Sequence, residues 1–191
     1  MPNLYIISGC NGAGKTTASF TILPEMLDCQ EFVNADEIAR GLSPFQPEKV
    51  ALEAGRIMLH RIDELLKKQE DFALETTLAT RSYVHTIKNA KQKGYNITLI
   101  YFWLNSPDLA IARVKRRVTR GGHNIPEEII RRRYKKGIQN LFKLFIPICD
   151  YWILIDNSQK PYIIVAEGQE DQEVKIQNEQ IWNNLKTLSN E

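Results

Sequence analysis

Short apolar, β-branched runs alternate with longer stretches of helical periodicity along this chain. Leu4–Ser8 (LYIIS) predicts a buried strand, followed by a glycine-rich turn. A helix is expected over Lys15–Leu27, ending near Pro24 or a little beyond. Glu31–Asn34 predicts a short second strand, and Asp36–Arg40 a turn of helix closed by Gly41. Pro47–Gln69 is the clearest long helix, with Val50, Ala54, Ile57, Met58, Ile62 and Leu65 at helical spacing. Phe72–Glu75 reads as a strand, and Ser82–Lys93 as a helix capped by Gly94. Asn96–Leu104 (NITLIYFWL) is apolar almost throughout, which suits a central strand covered on both faces. Helices follow over Pro107–Arg120 and Pro126–Phe145, the second with a capping-box-like start at Asn124 and Glu127. Tyr151–Ile155 is a further strand. The tail predicts a hairpin (Tyr162–Ala166 and Glu173–Ile176, turning at Gly168–Gln172) and a last helix near Glu179–Leu188.

Strands alternating with helices imply βαβ units. The expected architecture is α/β, a three-layer αβα sandwich around a mainly parallel sheet of about five strands. A helical lid over about 107–145 and a small C-terminal appendage over about 161–188 complete a single domain of 191 residues. No apolar run reaches the roughly 18 residues of a membrane span, so no membrane association is expected. The N-terminus enters a strand directly, without a basic region or cleavage site, so no secretory leader is expected. Cys10, Cys29 and Cys149 have no metal-ligand spacing, and their scatter fits a reducing cytoplasm.

Net charge is +2, but Arg113–Lys143 holds eleven Lys or Arg against Glu127 and Glu128, a local +9 that leaves −7 elsewhere. A basic block in a near-neutral chain points to an anionic ligand more than to bulk nucleic-acid binding. The block is organised. Arg113, Arg116, Arg117 and Arg120 share one helix face, with Ile111, Val114 and Val118 opposite. Gly121 and Gly122 break the helix, His123 follows as a hinge or packing residue, and Arg131, Arg132 and Arg133 open the next helix. Such a pair of helices suits a lid that closes over a triphosphate. A solvated basic face or a nucleic-acid backbone contact are the rival readings. Few aromatics interleave the block, which weighs against the latter.

Gly9-Cys10-Asn11-Gly12-Ala13-Gly14-Lys15-Thr16 matches G-x-x-x-x-G-K-[ST] in full, between a strand and a helix. This is a P-loop. Its glycines let backbone N–H groups converge on phosphates, and the following helix, from Lys15, Thr16 and Thr17, adds its positive dipole end. Lys15 is placed for the β- and γ-phosphates of ATP (or GTP), and the Thr16 hydroxyl for Mg²⁺. Cys10 reads as a small filler of the loop. Asp36, after the second strand, is a candidate general base, with a helix N-cap, from Asn34 or Asp36, as the competing and compatible role. Glu75, at a strand end where a P-loop protein usually carries Asp, is a candidate for Mg²⁺ or a substrate hydroxyl. Thr76 and Thr77 offer hydroxyls beside it, and Arg81 could reach a substrate phosphate.

With GCNGAGKTT, FVNADEIARGL, FALETTLATRSY and ARVKRRVTRGGHNIPEEIIRRRY in order, the chain resembles the zeta-toxin family of P-loop kinases over roughly residues 4–156. The resemblance implies phosphorylation of the 3′-hydroxyl of UDP-N-acetylglucosamine's amino sugar, and a small antitoxin as partner. It implies Asp36 as catalytic base, and Lys15 and Thr16 as nucleotide and Mg²⁺ contacts. It implies Glu75 and Thr77 as substrate contacts, and Arg117 or a neighbour, with Arg120, as the γ-phosphate clamp. Arg113 is assigned with the nucleotide. Two alternatives stand beside it: a kinase of another small hydroxyl compound (sugar, antibiotic or nucleoside), and an ATP-binding switch read by a protein partner.

Overall fold

The computed structural model describes residues 1–119, 121–122 and 124–190, so the expectations for Arg120 and His123 lie outside the described residues. The strands are β1 (Asn3–Gly9), β2 (Glu31–Val33), β3 (Phe72–Thr76), β4 (Asn96–Trp103), β5 (Tyr151–Asp156), β6 (Ile163–Gln169) and β7 (Lys175–Ile176). They form one sheet in the order β2-β3-β1-β4-β5-β6-β7. The first five are parallel, with Ile6 of β1 opposite both Leu74 of β3 and Leu99 of β4. Helices cover both faces of these strands, which is why β1 and β4 are apolar without alternation. Leu4, Ile6, Leu74, Ile97 and Leu99 are fully buried, each contributing about 1.5–3 kcal/mol by burial.

The parallel arrangement brings five strand ends to one rim of the sheet: Gly9, Val33, Thr76, Trp103 and Asp156. Chain order reverses at β1, with β3 on one side and β4 on the other, and ligands of open α/β sheets bind at such a switch point.

The helices are α1 (Lys15–Met26), α2 (Ala35–Leu42), α3 (Ala51–Lys68), α4 (Ser82–Gln92), α5 (Pro107–Val118), α6 (Glu127–Asn140) and α7 (Glu179–Asn190). Several boundaries differ from the sequence expectation. Pro24 sits inside α1, and α2 continues through Gly41 to Leu42. The long helix is split: Pro47–Val50 is a 3₁₀ turn and α3 begins at Ala51. Ala54, Met58, Ile62 and Leu65 form its buried stripe as the spacing required, while Ile57 is 39% exposed. The capping box at Asn124 does not form. Pro126 precedes α6 without a side-chain cap, and Glu127 instead pairs with Lys115 of α5 at 2.5 Å. Nor does α6 run to Phe145: it widens into a π-helical turn, Leu141–Phe145, and a 3₁₀ turn, Ile146–Ile148.

The tail is the larger correction. Its hairpin is not an appendage but the continuation of the sheet, making seven strands where about five were expected. β6 pairs antiparallel with β5 and carries β7 on its far edge, and Gly168 and Gln169 are strand residues rather than turn. The Trp182 ring of α7 stacks on Trp152 of β5 at 5.7 Å between centroids and meets Phe142 at 5.3 Å. Aromatic pairs of this kind add about 0.5–1.5 kcal/mol beyond area burial. No helix among the described residues is long and apolar enough to cross a membrane.

Helix α6 lies close on the rim. A Cβ at Gly137 would meet the Thr77 carbonyl oxygen at 2.7 Å and the Tyr101 hydroxyl at 3.2 Å. Gly137→Ala should therefore lower stability by about 1–2 kcal/mol: overpacking costs about 1–3 kcal/mol against a helix-propensity gain of up to ~1. A reduced urea midpoint at unchanged m-value checks this; an equal or higher midpoint would show that α6 can shift freely.

Candidate active site

The P-loop leaves β1 at Gly9 and enters α1 at Lys15. The start of α1 has no side-chain cap and no acidic residue in its first turn. Its leading N–H groups are thus left for an anion. Gly12 holds φ +79° and sits against α5, where a Cβ would come within 2.8 Å of the Ala110 carbonyl oxygen and 3.2 Å of the Arg113 Cβ. Only glycine satisfies both demands at once. Asn11 and Ala13 are buried, while Thr17 is exposed in the first turn of α1.

Behind the loop stands a support that sequence reasoning missed. Asn157, just past β5, donates from Nδ2 to the Ala13 carbonyl at 2.8 Å, and its own N–H reaches the Trp103 carbonyl. Buried Asp156 accepts from the Ser158 N–H at 2.8 Å, and the Ser158 Oγ accepts from the Asn105 N–H. Arg113 donates to the Ser158 carbonyl at 2.8 Å, so at least one of its nitrogens is tied to the segment that follows β5. The only sequence hint was the polar triplet closing an apolar strand.

Glu75 is the hub of the site. Its Oε2 accepts from the Thr16 hydroxyl at 2.7 Å and from Asn34 Nδ2 at 3.0 Å, and its Oε1 lies 3.5 Å from Lys15 Nζ. Lys15 is buried and also donates to the Cys10 carbonyl at 3.1 Å. The Cys10 thiol is pushed up to about 11 by burial, the field of Lys15 partly opposing, so it stays neutral and acts as filler. A threonine hydroxyl beside a carboxylate is an all-oxygen donor set, which fits Mg²⁺. Thr16 and Glu75 are the residues that would hold it. Of the two roles open to Glu75, the contacts with Thr16 and Lys15 favour the nucleotide side over the acceptor.

Asn34 resolves the competition at Asp36. Its Oδ1 caps α2 by accepting from the Asp36 N–H at 2.9 Å, while its Nδ2 orients Glu75. The Asp36 side chain has no capping duty and is exposed on the rim. It lines one cavity of about 80 Å³ together with Thr16, Arg40, Pro47, Glu48, Ala51 and Arg117. Arg117 thereby shares this cavity with Asp36 and the P-loop threonine. A larger apolar hollow, between α5, α6 and α7, lies apart from the P-loop residues.

Thr76 and Thr77 are turned inward on the chain itself: their hydroxyls accept from the N–H groups of Leu78 and Ala79. Leu78 follows at φ +55°, a conformation that costs a non-glycine residue about 1–3 kcal/mol. Asn140 of α6 holds it there by donating from Nδ2 to the Leu78 carbonyl at 2.6 Å. Arg81 precedes α4, is exposed, and makes no hydrogen bond or ion pair to these residues.

Arg133 of α6 reaches the P-loop. Its Nη1 donates to Asn11 Oδ1 at 3.2 Å. Burial lowers the pKa of its guanidinium, with the Asp36 carboxylate opposing, so the two charges sense each other across the site. Arg131, two residues earlier, points the other way and pairs with Asp108 on the surface.

The zeta toxin model matches residues 1–145. The chain belongs to the zeta-toxin family. An uncharacterised protein of Haemophilus influenzae is 34% identical over 127 residues, 66% of this chain and 88% of that protein. The zeta-toxin fold extends to solved structures. A chain of the AvrRxo1-ORF1:AvrRxo1-ORF2 complex superposes with a TM-score of 0.78 at 15% identity, covering 97% of this chain and 63% of that chain. The PezAT toxin–antitoxin system of Streptococcus pneumoniae gives 0.66 at 16% identity, covering 100% and 85%. This chain thus spans under two thirds of the AvrRxo1 chain it resembles.

If Glu75 helps to hold Mg²⁺, Glu75→Gln is expected to weaken Mg²⁺ affinity about tenfold or more and to lower turnover. The neutral amide keeps the shape but loses the charge that binds a hard cation. A Mg²⁺ titration of turnover checks it, and an unchanged half-saturation would remove Glu75 from the metal's surroundings.

Proposed function

We propose that the protein is an ATP-dependent kinase that transfers the γ-phosphoryl group to an alcohol of a small molecule. The family resemblance points to a nucleotide sugar such as UDP-N-acetylglucosamine. One observation carries this reading: Asp36, Thr16 and Arg117 line a single cavity at the P-loop. Thr16 and Lys15 belong to the donor half and Asp36 faces the space beside them. Thr16 and Glu75 would hold Mg²⁺, which would supply charge neutralisation for the triphosphate.

In the proposed reaction the P-loop N–H groups and Lys15 hold the triphosphate. Asp36 takes the proton of the acceptor hydroxyl, and the freed oxygen attacks the γ-phosphorus in line. The bond between that phosphorus and the β–γ bridging oxygen breaks, and ADP leaves. Arg133 and Arg117 stabilise charge on the transferred group, since fixed donors aimed at developing charge are the largest single contribution in such sites.

A small antitoxin is the proposed protein partner, in keeping with the PezAT and AvrRxo1-ORF1:AvrRxo1-ORF2 pairs. The cytoplasm is the proposed location, where ATP is supplied and where Cys10, Cys29 and Cys149 remain the free, buried thiols they are here. The test is ADP formation with and without candidate acceptors, with the product identified by mass spectrometry. Acceptor-dependent ADP and a product heavier by one phosphoryl group support the kinase; ATP turnover indifferent to every hydroxyl acceptor defeats it.

A further inference from the structure

The peptide between Ala13 and Gly14 is held from one side only. Ala13 is fully buried; its N–H donates to the Cys10 carbonyl at 3.2 Å, and its carbonyl accepts from Asn157 Nδ2 at 2.8 Å. The Gly14 N–H, at the uncapped start of α1, has no hydrogen-bond partner among the described residues. In a planar trans peptide the carbonyl and the following N–H point in opposite directions. With the Ala13 carbonyl turned back to Asn157, the Gly14 N–H is turned away from it. A backbone donor left over where its neighbours are paired is one that a ligand can satisfy.

Nothing within the loop enforces that orientation. Gly14 stands at φ +86°, and glycine takes the opposite sign of φ about as readily. The peptide can therefore turn over at little cost to Gly14 itself. What opposes this comes from β5. Asn157 Nδ2 sits 2.7 Å from where a Cβ of residue 14 would lie, so the amide is packed on the glycine as well as bonded to its neighbour. Asn157 is itself fixed, by its N–H on the Trp103 carbonyl at 2.9 Å and by Ser158, whose N–H is held by buried Asp156. Only the nitrogen of the amide can face a carbonyl; an aspartate of the same shape would set acceptor against acceptor.

We propose that Asn157 is a positioning residue for nucleotide binding, acting through the Ala13–Gly14 peptide to keep the Gly14 N–H presented to the phosphates. The proposal rests on the nucleotide half of the kinase reading and not on the acceptor. Asn157→Ala should weaken binding of a non-hydrolysable ATP analogue about tenfold in calorimetry, the order of one lost hydrogen bond to a charged group. In turnover the KM for ATP should rise to match while kcat stays within about twofold, because the contact is made equally in ground and transition states. Asn157→Asp, with the shape but not the donor, should lose at least as much.

Asn3→Ala separates this role from general loosening. Asn3 donates from its side-chain nitrogen to Asp71 at 2.9 Å, at the opposite end of β1 from the P-loop. Its loss should lower the thermal midpoint and leave affinity for the analogue unchanged. The Gly14 amide resonance should shift when the analogue saturates the wild type, and far less when it saturates Asn157→Ala. Unchanged affinity in Asn157→Ala, a Gly14 shift equal to wild type, or an equal loss of affinity in Asn3→Ala overturns the proposal. Affinity that depends on Asn157 in a protein that phosphorylates no acceptor would defeat the kinase reading and leave the role of Asn157 standing.

Discussion

Arg133→Ala is expected to lower kcat by about 10³–10⁵, the range for removing an arginine that stabilises a transferring phosphoryl group. The reason lies in where α6 puts this side chain. Its inner face is pinned to the rim by Gly137 against Thr77, by Asn140 on Leu78, and by the Tyr134 hydroxyl on the Leu104 carbonyl at 2.7 Å. Arg133 is carried on the same turns and reaches Asn11 in the P-loop. ATP affinity should change far less than kcat, because the loop N–H groups and Lys15 are untouched. Truncation also strips a partner from buried Asn11, a loss of about 1–3 kcal/mol that could disturb the loop. Arg133→Lys separates the two effects: it keeps a charge and a donor but not the planar fork. Rates should stay at least a hundredfold down in the lysine variant with the thermal midpoint preserved. A loss below tenfold in both would leave Arg133 as a brace for Asn11 and nothing more.

Asp36→Asn is expected to reduce acceptor-dependent turnover by about 10²–10⁴, as for loss of a positioned general base. Stability should hardly move. Asn34, not Asp36, caps α2, so the change forfeits only the interaction of one carboxylate with a helix start, about 0.3–1 kcal/mol. ATP binding, followed by calorimetry, should match wild type. Near-normal transfer in Asp36→Asn would place the base elsewhere on the rim.

Most of the parallel core was legible in the sequence because its physical cause is local. A nearly unbroken apolar run such as Asn96–Trp103 has only one economical environment, a strand covered on both faces. The phosphate loop was equally plain, since its glycines, lysine and threonine are demanded by chemistry at fixed spacing. The tail was misjudged for the opposite reason. Whether a hairpin stands alone or extends a sheet depends on an edge, β5, and on a partner, Trp182, that sequence spacing does not reveal. The capping box at Asn124 failed likewise, because Lys115 on another helix competes for Glu127.

The site divides along the same line. Sequence by itself determined the residue types and their order: Lys15 and Thr16 in the loop, Asp36 after one strand and Glu75 at the end of the next, and a basic block beyond. It could not decide which role each played, since that depends on contacts between residues far apart in the chain. Tertiary structure joined Thr16 to Glu75 across 59 positions and Asn11 to Arg133 across 122. It gave the helix cap to Asn34, tied Arg113 to Ser158, and set Asn157 beneath the loop. Local pattern fixes which groups are available; only packing determines which of them meet.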